Sequence, residues 1–158
     1  MARWLDDEEM RAWRGLREVF GDVHAALDAE LLAAHGLSEG DYAVLVCLSE
    51  APGHQVRMCD LADRLHLSPS GITRRLDRLV RTGFVRRRAS ADDGRVTLAE
   101  LTRRGESALA AAAPDHVDGV RRHLLDHLSR SQIRQLGAIL ASVQRRRAAM
   151  SDAARHAG

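Results

Sequence analysis

The stretch Ser68-Pro69-Ser70-Gly71-Ile72 reads as the start of a helix, and the pattern of residues 72–81 restricts that helix to one orientation. Ser68 offers a hydroxyl oxygen to the unpaired N–H groups of a first turn, and Pro69 falls at the first helical position, where its missing donor costs nothing. Ile72, Leu76, Leu79 and Val80 recur at helical spacing. At about 100° per residue they share one face that must be buried. Ser70, Arg74, Asp77, Arg78 and Arg81 fall on the far side, with Arg74 almost opposite the centre of the apolar stripe and Thr73 and Arg75 at its margins. A helix anchored by aliphatics and presenting arginine and small hydroxyls outward has the shape and chemistry to enter a DNA major groove.

The flanks extend this helix into a unit. Met58, Leu61, Ala62 and Leu65 form a short helical pattern, and only His66 and Leu67 separate it from the Ser68 cap. Thr82-Gly83 supplies the left-handed residue that stops a helix, residues 84–88 read as a strand, residues 91–94 as a turn, and residues 96–101 as a returning strand. The expected fold is mainly α with a small β-wing: a helix-turn-helix followed by a two-stranded hairpin.

Asp93-Gly94-Arg95, followed by Leu101-Thr102 and Gly105, reproduces a family spacing. The region resembles the winged helix of MarR-type bacterial transcription regulators, whose wing carries Asp-x-Arg and then Leu-Thr-x-x-Gly. Leu37-Ser38, Asp41-Tyr42 and Leu45 are similar to the family's second helix. The resemblance covers nearly the whole chain. It implies one domain over residues 1–158, with a winged-helix DNA-binding region at 37–105 and long N- and C-terminal dimerisation helices at 1–36 and 106–158. A homodimer of that kind places two recognition helices in successive major grooves, so the operator is expected to be a palindrome with half-sites roughly 10 bp apart. Repression is the commoner outcome when such a dimer covers a promoter, and release by a small-molecule effector is a further family expectation.

Charge distribution points the same way. The formal net charge of the 158 residues is only +2. Residues 1–50, however, hold 4 Arg against 11 Asp or Glu, which gives −7, and residues 71–104 hold 10 Arg against 4 acids, which gives +6. The basic excess falls where phosphates would be met. All 24 basic residues are Arg, a pattern that reflects genomic base composition, yet the guanidinium fork suits phosphate and guanine wherever it arose. The N-terminus is charged within its first nine residues and no apolar run approaches the roughly 18 residues of a membrane span, so a cytoplasmic protein without membrane contact is expected. Two cysteines, Cys47 and Cys59, do not make a disulfide framework.

The flanking segments read as helices with apolar stripes. Acids at positions 6–9 begin the first, which carries Trp13, Leu16, Val19, Phe20, Val23, Leu27, Leu31 and Leu32 and ends at Gly36. Ser38 with Asp41 makes a capping box for the next helix, and residues 53–57 are expected to add a brief strand to the wing. Beyond Thr102 a helix should be kinked or interrupted at Pro114 and then run to about Leu128. Residues 129–131 then cap a last helix bearing Ile133, Leu136, Ile139, Leu140 and Val143.

Roles derive from position. Arg74 is the candidate reader of guanine O6 and N7; Ser68, Ser70 and Thr73 lie near the helix start, and Gly71 allows close backbone approach. Arg75 and Arg78 suit flanking phosphates. At the wing tip the resemblance implies that Arg95 enters the minor groove with Asp93 orienting it; the plainer reading is a solvated pair worth less than about 1 kcal/mol. Arg86, Arg87 and Arg88 alternate, and some of them simply cover a strand face.

For sensing, Trp13, His35, Tyr42 and Met58 are candidates to line a crevice between the dimerisation helices and the winged helix, although residues of these types on apolar helix faces are more often core. Zinc sensing would use His123 and His127, one helical turn apart, and thiol sensing would use Cys59 rather than the buried-looking Cys47. Neither has a complete motif, and no resident metal or cofactor is expected. No nucleophile–base pair or phosphate loop suggests an enzyme. A winged helix used for protein docking would be expected to have an apolar outer face at residues 68–81, whereas this one is cationic.

Overall fold

The computed structural model describes residues 2–90 and 93–156. Residues 1–119 and 120–158 form two compact units. In the first, helix α1 (Asp7–His35) begins with a reciprocal cap in which Asp6 accepts from the Glu8 and Glu9 amides and Glu9 accepts from the Asp6 amide; it ends at Gly36 with φ 65°. Helix α2 (Glu39–Ser49) starts with the same device, built from Ser38 and Asp41. Strand β1 (Gln55–Arg57) and helix α3 (Met58–Arg64) lead into the turn before helix α4 (Pro69–Arg81). His66 takes a left-handed conformation, φ 52°, and the Leu67 amide bonds back to the Ala62 carbonyl at 2.9 Å. The expected cap is in place, with Ser68 Oγ accepting from the Gly71 amide at 3.1 Å.

Gly83, φ 74°, follows the end of α4 and directs the chain into strand β2 (Val85–Ala89). Strand β3 (Thr97–Leu101) returns antiparallel to it and also pairs with β1, giving the order β1-β3-β2. The anticipated third strand is therefore present. Of the turn expected at 91–94, Ala91 and Asp92 lie outside the described residues; the Val96 amide bonds the Asp93 carbonyl at 2.9 Å.

One apolar core holds these elements. Leu31, Leu37, Val44, Leu45, Leu48, Leu61, Ile72, Leu76, Leu79 and Val85 are nearly inaccessible within it. Val80 corrects the sequence expectation: it is 36% exposed, because Ile72, Leu76 and Leu79 fill the contact and Val80 lies on its margin.

Thr102 joins the wing to the next helix, α5 (Arg103–His123). Its hydroxyl donates to the Gly83 carbonyl at 2.7 Å, approaches the Phe84 carbonyl at 3.1 Å and accepts from the Gly105 amide at 3.1 Å. Gly105 is required by proximity, since a Cβ there would drive into the Phe84 carbonyl oxygen and Leu101. This supplies the physical content of Leu-Thr-x-x-Gly. Two further expectations need correction. Of the kink or interruption expected at Pro114, the interruption does not occur: α5 continues through it, since only one backbone bond is forfeited and small alanines precede the ring. The helix also stops at His123, because Leu124 adopts φ −138° and ψ −63° and residues 125–127 form a 3-10 turn.

In the second unit, helix α6 (Arg130–His156) begins with Ser129 and Gln132 capping each other, and leaves Ile139, Leu140, Val143 and Met150 exposed. No single helix among the described residues is long and apolar enough to cross a membrane.

Gly105→Ala is expected to lower stability by about 1–3 kcal/mol through overpacking against backbone that cannot yield. Thermal unfolding followed by circular dichroism should show a melting point several degrees lower.

Candidate nucleic-acid interface

The outward face of α4 carries the candidate residues, because the opposite face is held in the core. Ser68, Ser70, Thr73 and Arg74 are exposed, while Arg75 and Arg78 are half-buried. All three hydroxyls already have local partners: Thr73 Oγ1 donates to the Pro69 carbonyl at 2.8 Å, and the Ser68 and Ser70 hydroxyls lie 3.2 Å apart. Thr73 Oγ1, which acts there as a donor, retains its lone pairs for a further contact.

Arg75 and Arg78 do not project freely. The Arg75 guanidinium occupies the space where a Cβ on Gly40 would stand, and Arg78 is ion-paired with buried Asp41 while donating to Ser38 Oγ at 3.1 Å. The expectation that Arg78 simply faces outward is corrected: a carboxylate from α2 draws it sideways. Ser38, Gly40 and Asp41 thus border the candidate face, although the sequence pattern marks them only as a helix start. The available signal was a glycine inside the first turn of a helix, where it lowers helix propensity unless something must approach closely.

The wing is fastened to this face by alternation along β2. Arg86 lies directly across from Glu100 and grips it through Nε at 2.9 Å and Nη2 at 2.5 Å, and Arg88 reaches the same carboxylate at 3.5 Å. The Arg86 hydrogen bond holds the Glu100 carboxyl below its usual range, with Arg88 adding to the effect. Arg87 points to the other side, where it pairs with Asp77 of α4 at 2.9 Å. At the tip, Asp93 Oδ1 accepts from the Arg95 amide at 3.0 Å and stands 3.9 Å from its Nε. The Arg95 side chain is 97% exposed.

Of the four candidate effector residues, His35 and Tyr42 meet α5 at the adjacent residues Asp115 and His116, whereas Met58 lies in a separate cleft and Trp13 is about six turns before His35 on α1. Trp13 is half exposed on α1, with Arg17 over its ring at 6.0 Å. His35 Nε2 is 2.7 Å from Asp115 Oδ2. Tyr42 is buried and stacks on His116, with centroids 4.3 Å apart. Met58 instead lines a cleft of about 260 Å³ between α3 and α4 with Cys59, Ala62, Leu67 and Ile72. Cys59 is exposed and donates to Asp60 Oδ1 at 3.4 Å, whereas Cys47 is half-buried against the core. His123 and His127 do not share a helical face, because α5 ends between them.

A helix-turn-helix whose cationic helix stands beside a three-stranded antiparallel wing, with long helices before and after it, defines a winged helix-turn-helix protein. The MarR family profile matches residues 37–97. The structure superposes on AbsC, a MarR family transcriptional regulator from Streptomyces coelicolor, with a TM-score of 0.84 at 35% identity, covering 92% of this chain and 97% of that one. It superposes on Sco3205, a MarR family regulator from the same organism solved in complex with DNA, with a TM-score of 0.85 at 35% identity, covering 91% and 90%. The chain is 39% identical to the transcriptional repressor YetL of Bacillus subtilis over 84 residues, 53% of this chain and 50% of that protein; it spans about half the length of the first curated relatives it matches. The chain belongs to the MarR family.

Burial holds the His116 imidazole below its usual pKa of 6.5, against a smaller opposing pull from Glu39. The unfolded chain therefore takes up a proton that the native state resists, so this group's contribution is full above 6.5 and is lost as pH falls toward the native value. His116→Phe, which keeps the stack on Tyr42, is expected to narrow the stability difference between pH 7 and pH 5. Urea denaturation at both pH values measures it.

Proposed function

We propose that the protein is a sequence-specific DNA-binding transcription repressor that acts as a homodimer on a palindromic operator. The observation that carries this reading is the pairing of a fully exposed arginine at the wing tip, Arg95, with an exposed Arg74 on a helix whose other face is locked in the core. Arg74 reads a guanine edge in the major groove, Ser68, Ser70 and Thr73 add contacts near the helix start, and Arg75 meets a flanking phosphate with Arg78 at the edge of the interface. Arg95, oriented by Asp93, enters the adjacent minor groove. The DNA complex of the Sco3205 regulator supports the reading by similarity.

Dimerisation through residues 1–36 and 106–158 is supported by apolar surface that the chain leaves uncovered. Trp13, Leu16, Val19 and Phe20 on α1 are 50–69% exposed, and Ile139, Leu140 and Val143 on α6 are 43–60% exposed. Stripes of this kind on a soluble chain mark contact surfaces. Release by a small apolar effector is favoured by the cleft beneath α4 that Met58 lines, since an occupant there would bear on the recognition helix.

A gel shift with the duplex upstream of the protein's own gene, titrated with salt, tests the proposal. Preference over a scrambled duplex is expected, together with dimeric sedimentation; a stable monomer or an absence of any duplex preference would overturn it. Arg74→Ala should lower affinity for the preferred site by about 1–3 kcal/mol and relax its specificity. Arg95→Ala should weaken binding at least tenfold with the dimer intact, and unchanged affinity would remove the wing from the interface.

A further inference from the structure

Among the described residues, Asp41 is the one buried charged side chain, at 2% exposure. Capping alone does not account for that burial. The reciprocal caps at Asp6 with Glu9 and at Ser129 with Gln132 do the same work at the surface. A carboxylate removed from water needs a partner held in good geometry, and the partner here comes from the recognition helix: Arg78 pairs with Asp41 and donates to Ser38 Oγ at 3.1 Å. One turn earlier on α4, the Arg75 guanidinium fills the space above Gly40. The first turn of α2 is therefore a socket for two successive arginines of α4, at the edge of a recess of about 380 Å³ that Arg74 also lines.

Resting on the DNA-binding reading, we propose that Asp41 is a specificity-positioning residue: through Arg78 it fixes the rotation of α4 about its own axis and so aims Arg74 at a base edge. Leu76 and Leu79 hold the helix down, but aliphatic contacts are non-directional and tolerate a small roll. A roll of about 10° at a side-chain radius of roughly 6 Å moves a guanidinium by about 1 Å, enough to lose a bidentate contact. The ion pair supplies the direction that the aliphatic contacts lack. It also neutralises Arg78, which on this reading serves the protein rather than the phosphates.

The positioning role separates base reading from backbone attraction. Asp41→Asn is expected to lower the ratio of affinities for the preferred and scrambled duplexes at least tenfold, while affinity for the scrambled duplex holds or rises and the salt slope does not shrink. A true phosphate contact behaves otherwise, since losing it lowers binding to every duplex and reduces the slope by about one. The double variant Asp41→Asn with Arg78→Met leaves no buried charge unpaired, so it stays folded, and it should lose the same ratio as the single variant rather than the sum of two losses. An unchanged ratio in folded variants, equal weakening on both duplexes, or additive losses would each overturn the positioning role while leaving DNA binding intact. A wild-type protein without preference for any duplex would overturn the functional reading and this role together.

Discussion

Everything on the binding face depends on the seating of α4. Ile72, Leu76 and Leu79 are removed from water against the same core that holds Leu45, Leu48, Leu61 and Val85, and burial of side chains this size is worth about 1.5–3 kcal/mol each. With that face committed, Ser70, Thr73 and Arg74 on the other side have no interior to enter, while Arg75 and Arg78 turn to the first turn of α2. The outward chemistry of the helix is thus a consequence of its inward packing, and the wing is seated by Val85, Ala99 and Leu101 in the same core, with Arg87 pairing Asp77 at the surface.

Two kinds of interaction divide the labour. Apolar burial fixes where the helix lies, and polar contacts at its ends fix how it is approached. Thr102 shows the second kind clearly. One hydroxyl closes the gap between the end of the recognition segment, the wing and the start of α5, while Gly105 lets α5 approach the Phe84 carbonyl. A displacement of the wing would therefore be felt at the base of the long helix.

Local signals made most of the fold readable. Ser68-Pro69, Ser38 with Asp41, Asp6 to Glu9, Gly36 and Gly83 act within a few residues, so the helix ends they set emerged from spacing alone. The short strand at residues 55–57 was signalled by a short connection beside an apolar pattern. What spacing misjudged was decided elsewhere. Pro114 was tolerated because a long helix can forgo one bond, and α5 ended at His123 through the backbone of Leu124, which no side-chain pattern marked. At the site, Arg78 fell on the outward side of a helical wheel, but its partner lies far away in sequence and a wheel holds no information about neighbours. Trp13, His35, Tyr42 and Met58 share the composition of a ligand site, but composition does not tell which of them meet: His35 and Tyr42 come to adjacent residues of α5, and Met58 goes to the α3–α4 cleft.

The three consecutive arginines of β2 suggest a broad basic strip, yet their surroundings undo most of that charge. Arg86 and Arg88 share Glu100 on one side of the strand, and Arg87 meets Asp77 on the other. At distances beyond a Debye length such pairs present little net field. The shaft of the hairpin thereby keeps only the one charge left by two arginines on a single carboxylate, and at the tip Asp93 stands beside Arg95, whose side chain is 97% exposed. What the tip offers a polyanion is reach and exposure rather than surplus charge.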